Sequence, residues 1–178
     1  MTTLNEMKLE FKSQTANISF GRAAVAAFVS QLDPILSEVE DISTAVSEAI
    51  TNAVVHGYKG DPNGIIRIIV RLLKEDEVEV IVEDFGVGIP DLEAAKKFGQ
   101  TSQPEERIGI GFSLMEQCMD EVVVSASVPE EREGVKPSGF LAFLRRGLGR
   151  ERKGAGGSRR SRPGTRVTMR KRLQRKPD

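Results

Sequence analysis

Three groups of residues in this chain carry side chains at spacings that can do chemistry. Glu48 and Asn52 stand four apart, one turn of a helix, which sets a proton-accepting carboxylate beside an amide whose carbonyl can ligate a hard cation such as Mg²⁺. Asp84-Phe85-Gly86-Val87-Gly88 places a carboxylate at the mouth of a loop whose two glycines let the backbone approach a ligand closely. Arg107, Gly109 and Gly111 combine a cation with glycine-flanked amides that can meet phosphate oxygens. Each group alone is a modest signal, because charged helical residues mostly face solvent and short glycine patterns recur by chance. Together they suit a nucleotide.

Other chemistries find less support. No Gly-Lys-Ser or Gly-Lys-Thr occurs, so a Walker A loop is absent. Asp84-Phe85-Gly86 matches the metal-binding triplet of eukaryotic-type protein kinases, but no His-Arg-Asp loop or Lys-bearing third strand accompanies it. His56, beside Gly57, reads as the last turn of a helix rather than a ligand. Cys118, among apolar helical neighbours, reads as packing, since no second His exists to activate it.

The elements that must position these groups follow from periodicity. Met7 to Lys12 alternates as a half-buried strand does. Phe20, Ala23, Ala24, Ala27, Phe28 and Leu32 recur at helical spacing and predict a helix with that face inward, closed by Asp33-Pro34. A second helix is expected with Asp33 as N-cap, Pro34 at its first position and Gly57 as its stop. Its core stripe is Ile42, Val46, Ala49 and Ala53, with Glu48 and Asn52 about a quarter-turn away and facing a groove beside the core. Ile65 to Leu73 and Glu77 to Glu83 read as a hairpin turning through Lys74-Glu75-Asp76, with Val78, Val80 and Val82 on one face. Leu92 to Lys97 allows a short helix. Phe98 to Gly111 reads as a loop able to act as a lid. Phe112, Met115 and Met119 then repeat at helical spacing, and Glu121 to Ser127 alternates as a strand.

Charge divides the chain. Its 26 basic and 26 acidic residues cancel. However, residues 1–128 hold 10 basic against 21 acidic and residues 129–178 hold 16 against 5, a balance of −11 and +11. Three segments are expected: residues 1–128, a basic and disordered insertion over 129–163, and a final strand with basic tail over 164–178. The insertion is rich in Gly, Arg and Ser, with apolar surface only at Phe140 to Leu144 and Leu148. It can be a dispensable solvated loop, or an arm in which Arg145, Arg146, Arg150, Arg152, Lys153, Arg159, Arg160 and Arg162 attract an acidic partner. A single Cys and no basic-then-apolar leader point to a cytoplasmic location. No apolar run approaches the ~20 residues of a membrane span.

Ser47-Glu48-Ala49-Ile50-Thr51-Asn52-Ala53-Val54-Val55-His56-Gly57-Tyr58, Glu83 to Pro90, and Glu106-Arg107-Ile108-Gly109-Ile110-Gly111-Phe112 resemble, in order and spacing, the N, G1 and G2 boxes of the GHKL ATPase superfamily. Within it the chain is similar to the sporulation anti-sigma F serine kinases, nearly continuously from Met7 to Ser127 and again from Gly164 to Lys171. The resemblance implies a GHKL (Bergerat-type) ATP-binding α/β sandwich, a mixed β-sheet covered on one face by helices. It implies ATP and Mg²⁺ as ligands, Glu48 as general base toward an acceptor serine, and Asn52 as the Mg²⁺ ligand. Asp84 would accept the adenine amine with Thr165 supporting it, and Gly86 and Gly88 would fit the backbone round the nucleotide. Thr101, Ser102, Arg107, Gly109 and Gly111 would form the lid over the phosphates, and Arg22 would contact a sigma factor.

The implied function is a switch that holds a sigma-F-type sigma factor when ATP is bound and phosphorylates an anti-anti-sigma factor, as a homodimer with no direct DNA contact. A kinase for a general-stress or other sigma factor, or a sigma-binding module without kinase activity, are the alternatives. The chain departs from the pattern at Gln103, where the family more often has Lys, and in the 35 or so residues that replace a short turn before Gly164.

Overall fold

The computed structural model describes residues 2–89, 107–129 and 161–174, with backbone alone at 107–110, 127–129 and 161–162. The expected short helix at 92–97, the lid residues Thr101, Ser102 and Gln103, and the basic segment over 130–160 lie outside the described residues. The chain divides into two units, Met1–Val128 with Pro163–Asp178, and Pro129–Arg162; the elements that form the site belong to the first.

The described elements run β1 (Thr3–Lys12), α1 (Ala16–Val29), α2 (Leu36–Asn52), β2 (Ile65–Leu73), β3 (Glu77–Asp84), α3 (Arg107–Cys118), β4 (Glu121–Pro129) and β5 (Ser161–Arg172). A 3₁₀ turn at Ser30–Leu32 follows α1, and a π turn at Ala53–Gly57 follows α2. The five strands form one sheet in the order β1-β2-β3-β5-β4. Pairing is antiparallel between β1 and β2, β2 and β3, and β3 and β5, so at these junctions the expected mixed sheet is an antiparallel one. The last strand of the chain enters between β3 and β4, which puts Thr165 opposite Asp84.

Alternation along the strands separates two faces. On one, Ile66, Ile68, Val70 and Leu72 of β2, Val78, Val80 and Val82 of β3, and Val167 and Met169 of β5 join Ile42, Val46, Ala49 and Ile50 of α2 in a single buried core. Burial of each such side chain contributes roughly 1.5–3 kcal/mol. The opposite face carries rows of ion pairs that cross the sheet at register positions. Glu83, which is fully buried, sits between Arg67 at 3.4 Å and Arg166, and Arg67 continues to Glu10 at 2.6 Å. Glu79 sits between Arg71 at 2.7 Å and Arg170 at 2.8 Å, with Glu6 and Glu121 at the two ends. The β2–β3 hairpin turns as the sequence predicts, with Glu75 and Asp76 at φ 67° and 57°, the left-handed pair that a tight hairpin requires.

Both N-terminal helices differ in detail from their sequence patterns. In α1 the buried stripe is Gly21, Val25 and Val29, while Phe20, Ala23 and Ala27 are exposed. Alanine is nearly indifferent to side, and the absence of a side chain at Gly21 decides the matter. A Cβ there would lie 2.7 Å from Ile50 Cδ1 and 3.0 Å from Phe11 Cζ, so this is the face that can press onto the core. Asp33 does not cap α2. It closes the preceding 3₁₀ turn at φ 52°, ψ 49°, donating its N–H to Ser30 O, and Pro34 precedes the helix. The α2 start is set instead by Glu38, whose Oε2 accepts the Ile35 N–H at 3.0 Å, half of a capping box. Glu38 Oε1 accepts the Gln174 N–H at 2.7 Å, which ties the chain after β5 to the same helix end.

The third helix also begins earlier than expected. Arg107 to Gly111, which the sequence reads as loop, form the first turns of α3. Glycine inside a helix costs about 1 kcal/mol against alanine, so the local pattern argues against helix here. Packing overrides it at Gly111, where α3 meets α2. Further along, Phe112, Met115, Cys118 and Met119 are buried, as their spacing predicts. Lys171 Nζ locks the far end of α3, donating to Cys118 O at 2.7 Å and pairing with Asp41 of α2 at 3.0 Å.

Candidate functional site

The site lies where the C-terminal end of α2 meets the C-terminal end of β3. Beyond Asn52 the helix widens into a π turn, in which Tyr58 N–H donates to Ala53 O, five residues back, at 2.9 Å, and Gly60 N–H to Val54 O at 3.0 Å. Single π turns of this kind often mark functional sites. Here the extra residue brings Gly57 against Asp84. A Cβ at Gly57 would lie 2.8 Å from Asp84 Cγ. The loop after β3 then rests on the same turn. Val87 N–H donates to Gly57 O at 3.0 Å, and a Cβ at Gly86 would fall 2.0 Å from that oxygen. Only glycine fits at position 86 while this contact exists. Gly88 adopts φ 73°, which favours glycine.

Between these elements lies a cavity of about 370 Å³, lined on its polar side by Asn52, His56, Lys59, Asp84 and Thr165 and on its apolar side by Ala49, Ala53, Val82, Ile89, Phe112 and Val167. Val55 and Val87 also line it, although 50% and 57% exposed. Large apolar side chains left in solvent at the mouth of a cavity are what a flat, partly apolar ligand would cover.

Asp84 is the most unusual group there. It is buried, and among the described residues it forms no ion pair. Its Oδ1 accepts the Gly86 N–H at 3.0 Å, and Thr165 hydrogen-bonds to it as well. Burial pushes its carboxyl above the ordinary range, and the hydrogen bonds from Gly86 and Thr165 only partly oppose that. A carboxylate retains acceptor positions beyond these two partners, so a ligand with an amine can be received there. His56, half-buried in the π turn, has its imidazole pushed below the usual value by burial.

Asn52 and Glu48 meet α3 at Gly111. A Cβ on Gly111 would lie 3.0 Å from Glu48 Oε2, 3.3 Å from Asn52 Nδ2 and 3.5 Å from Asn52 Oδ1. Asn52 Nδ2 is enclosed and has no hydrogen-bond partner among the described residues. A buried donor without a partner costs about 1–3 kcal/mol, and a polar ligand that accepts from Asn52 Nδ2 would relieve that cost. Among the described residues no three His, Cys, Asp or Glu side chains cluster to hold a metal by themselves. A cation here would thus share Asn52 with ligand oxygens, the usual manner of Mg²⁺ on a phosphate.

The structure therefore brings together Asn52, Asp84, Gly88 and Thr165 round one cavity, with Gly86 packed on its wall and Glu48 and Gly111 at the α2–α3 contact beside Asn52. Arg107 and Gly109 lie in the first turn of α3, where only the backbone is described. Thr101 and Ser102 lie outside the described residues. Arg22 is exposed on α1, apart from the cavity. Sequence reasoning missed His56 and Lys59 as lining residues. The π turn that exposes them to the cavity has no sequence signal of its own beyond the glycine that follows His56.

Residues 11–134 match the family model of the histidine kinase-like ATPase domain, and the chain belongs to that family. Within it, the chain is similar to the anti-sigma F factor of Geobacillus kaustophilus, 52% identical over 125 residues that cover 70% of this chain and 85% of the relative. It is also similar to the anti-sigma F factor of Clostridium novyi, 47% identical over 133 residues, or 74% of this chain and 90% of the relative. The crystal structure of the RsbU and RsbW domains of Rv1364c from Mycobacterium tuberculosis shares the fold, with a TM-score of 0.55 at 19% identity over 95% of this chain. The match spans 32% of that longer chain.

Proposed function

We propose that this protein is an ATP-dependent anti-sigma switch kinase of the sigma-F type. The observation that carries the reading is the buried Asp84 carboxylate, held without an ion pair among the described residues at the wall of a cavity that is also lined by Asn52, whose Nδ2 has no hydrogen-bond partner among those residues. The similarity to anti-sigma F factors supports the choice of partner. In this reading Asp84 accepts the adenine amine with Thr165 beside it, Gly86 and Gly88 keep the loop close to the nucleotide, and Asn52 holds Mg²⁺ together with phosphate oxygens. Mg²⁺, when bound, neutralises charge on the phosphates. Thr101, Ser102, Arg107, Gly109 and Gly111 are the residues this reading assigns to the phosphates.

Glu48 takes the proton from the acceptor serine of an anti-anti-sigma factor. The serine oxygen forms a bond to the γ-phosphorus, the bond to the β–γ bridging oxygen breaks, and ADP leaves. The exposed Arg22 on α1 contacts the sigma factor, in a homodimer that makes no direct contact with DNA. No helix among the described residues is long and apolar enough to cross a membrane, which is compatible with a cytoplasmic place of action. Residues 1–128 and the strand from Gly164 form the kinase domain in this reading, and 129–163 is a basic insertion.

Two substitutions test the reading. Glu48→Gln keeps ATP binding, measured by calorimetry, and loses transfer of labelled phosphate to an anti-anti-sigma factor. Asp84→Asn loses ATP binding itself. A Glu48→Gln protein that phosphorylates normally removes Glu48 as base, and a wild-type protein that binds a sigma factor under ATP control without transferring phosphate reduces the function to a binding switch.

A further inference from the structure

Tyr58 stands behind the Asp84 loop, and nothing in the proposed chemistry uses it. Its hydroxyl donates to Ile65 O at 2.5 Å, where β2 begins, and accepts the Phe85 N–H at 2.8 Å, one residue beyond Asp84. The ring has a fixed seat, because a Cβ at Gly64 would fall 2.5 Å from ring atoms Cγ and Cδ1. Phe85 is held from the opposite side of the sheet as well, with the Arg67 guanidinium 5.2 Å from its ring centroid. The backbone that carries Asp84 is thus pinned by a hydroxyl on one side and a cation on the other. Burial pushes the Tyr58 hydroxyl up in pKa, with the charge of Asp84 adding to it and the two backbone hydrogen bonds opposing it. At neutral pH the hydroxyl keeps its proton and can both donate and accept.

We infer that Tyr58 is a positioning residue for nucleotide selectivity: by holding Phe85 N–H it keeps the Asp84 carboxylate where it can receive the 6-amino group of adenine. The inference rests on the reading of the cavity as an ATP site. A part that only stabilised the fold would weaken binding of every nucleotide alike. A part that aims Asp84 changes the preference for a base that carries the amine over one that lacks it.

The experiment measures equilibrium binding of ATP and of purine riboside triphosphate, which lacks only the 6-amino group, to the full chain and to Tyr58→Phe. Wild type prefers ATP, and Tyr58→Phe loses about tenfold of that preference, the scale of one hydrogen bond to a charged group, while its binding of the amine-free nucleotide is unchanged. Gly64→Ala, which displaces the ring and keeps the hydroxyl, shows the same loss of preference and serves if Tyr58→Phe does not fold. A wild type that discriminates and a Tyr58→Phe variant with an equal ratio overturn the role of Tyr58 alone. A wild type that binds ATP and the amine-free nucleotide equally overturns the adenine reading of Asp84, and this inference with it.

Discussion

Gly57 and Asp84 meet with no room for a side chain between them: a Cβ on Gly57 would lie 2.8 Å from both Asp84 Cγ and Oδ1. This contact joins the end of α2 to the end of β3 and fixes the direction in which the carboxylate faces the cavity. Gly57 O also accepts the Val87 N–H at 3.0 Å, so one residue anchors both the acid and the loop that follows it.

Gly57→Ala is therefore expected to turn the Asp84 carboxylate away. Overpacking of this kind costs about 1–3 kcal/mol, which a melting curve detects. Nucleotide affinity, measured by calorimetry, should fall by more than the roughly tenfold that one misplaced hydrogen bond accounts for, because the Val87 contact is disturbed as well. An alanine variant with wild-type affinity would show that the carboxylate has another acceptable position.

Asp84 should destabilise the ligand-free protein at neutral pH. Its pKa is raised above the ordinary 3.8, burial being the largest cause. The folded state accordingly binds the proton more tightly than the unfolded chain, and stability falls as pH rises from 3.8 through the folded pKa. Asp84→Asn should be more stable than wild type at pH 7, with the difference vanishing below pH 3.8. Denaturant unfolding at both pH values checks this. Equal stability at pH 7 would mean that the hydrogen bonds from Gly86 and Thr165 fully offset the burial.

Glu79 should show the opposite dependence. Burial raises its carboxyl, but the hydrogen bonds and charges of Arg170 and Arg71 outweigh this and the net shift is downward from the ordinary 4.5. The stabilisation is then present above pH 4.5 and is lost as pH falls through the folded pKa. Glu79→Gln should lower stability at pH 7 by about 1–3 kcal/mol, less than the ~3–5 of a fully buried pair because both guanidinium groups keep some contact with water. In acid the variant and wild type should converge. A gap that persists at pH 3 would assign the effect to packing instead of charge.

Gly111→Ala should separate catalysis from binding of the base. Its Cβ would press on Glu48 Oε2 at 3.0 Å and on Asn52 Nδ2 at 3.3 Å, and Asp84 is not among the groups nearest to it. Phosphoryl transfer should fall by at least tenfold, and binding of adenosine without phosphates should be unchanged. Transfer assays and adenosine titrations distinguish this from a general loss of fold, which would weaken both.

Much of this architecture was legible in the chain itself. The alternation of Val78, Val80 and Val82, the stripe of Ile42, Val46, Ala49 and Ala53, and the spacing of Phe112, Met115 and Met119 are local periodicities, set by the geometry of covalent neighbours, and each led to the right element and the right buried face. Gly86 and Gly88 marked a place where backbone must come close to something, though not to what, whereas Gly57 read only as the stop of a helix and its contact with Asp84 had no signal in the chain.

Tertiary structure decided what periodicity leaves open. The buried side of α1 depended on which face could approach Ile50 and Phe11, a choice its alanines do not make. The start of α2 depended on Glu38 reaching back to the Ile35 N–H while Asp33 closed the preceding turn, and the helical turns from Arg107 to Gly111 on packing that outweighed glycine's local cost. The partners of Glu79, Glu83 and Asp84 depended on β5 entering between β3 and β4, from as far as 91 residues away in the case of Arg170 and Glu79. Register between distant strands is a property of how they meet, and that is why the carboxylate at Asp84 could be read from the sequence while its neighbour across the strands, Thr165, could be named only by resemblance and seen only in the fold.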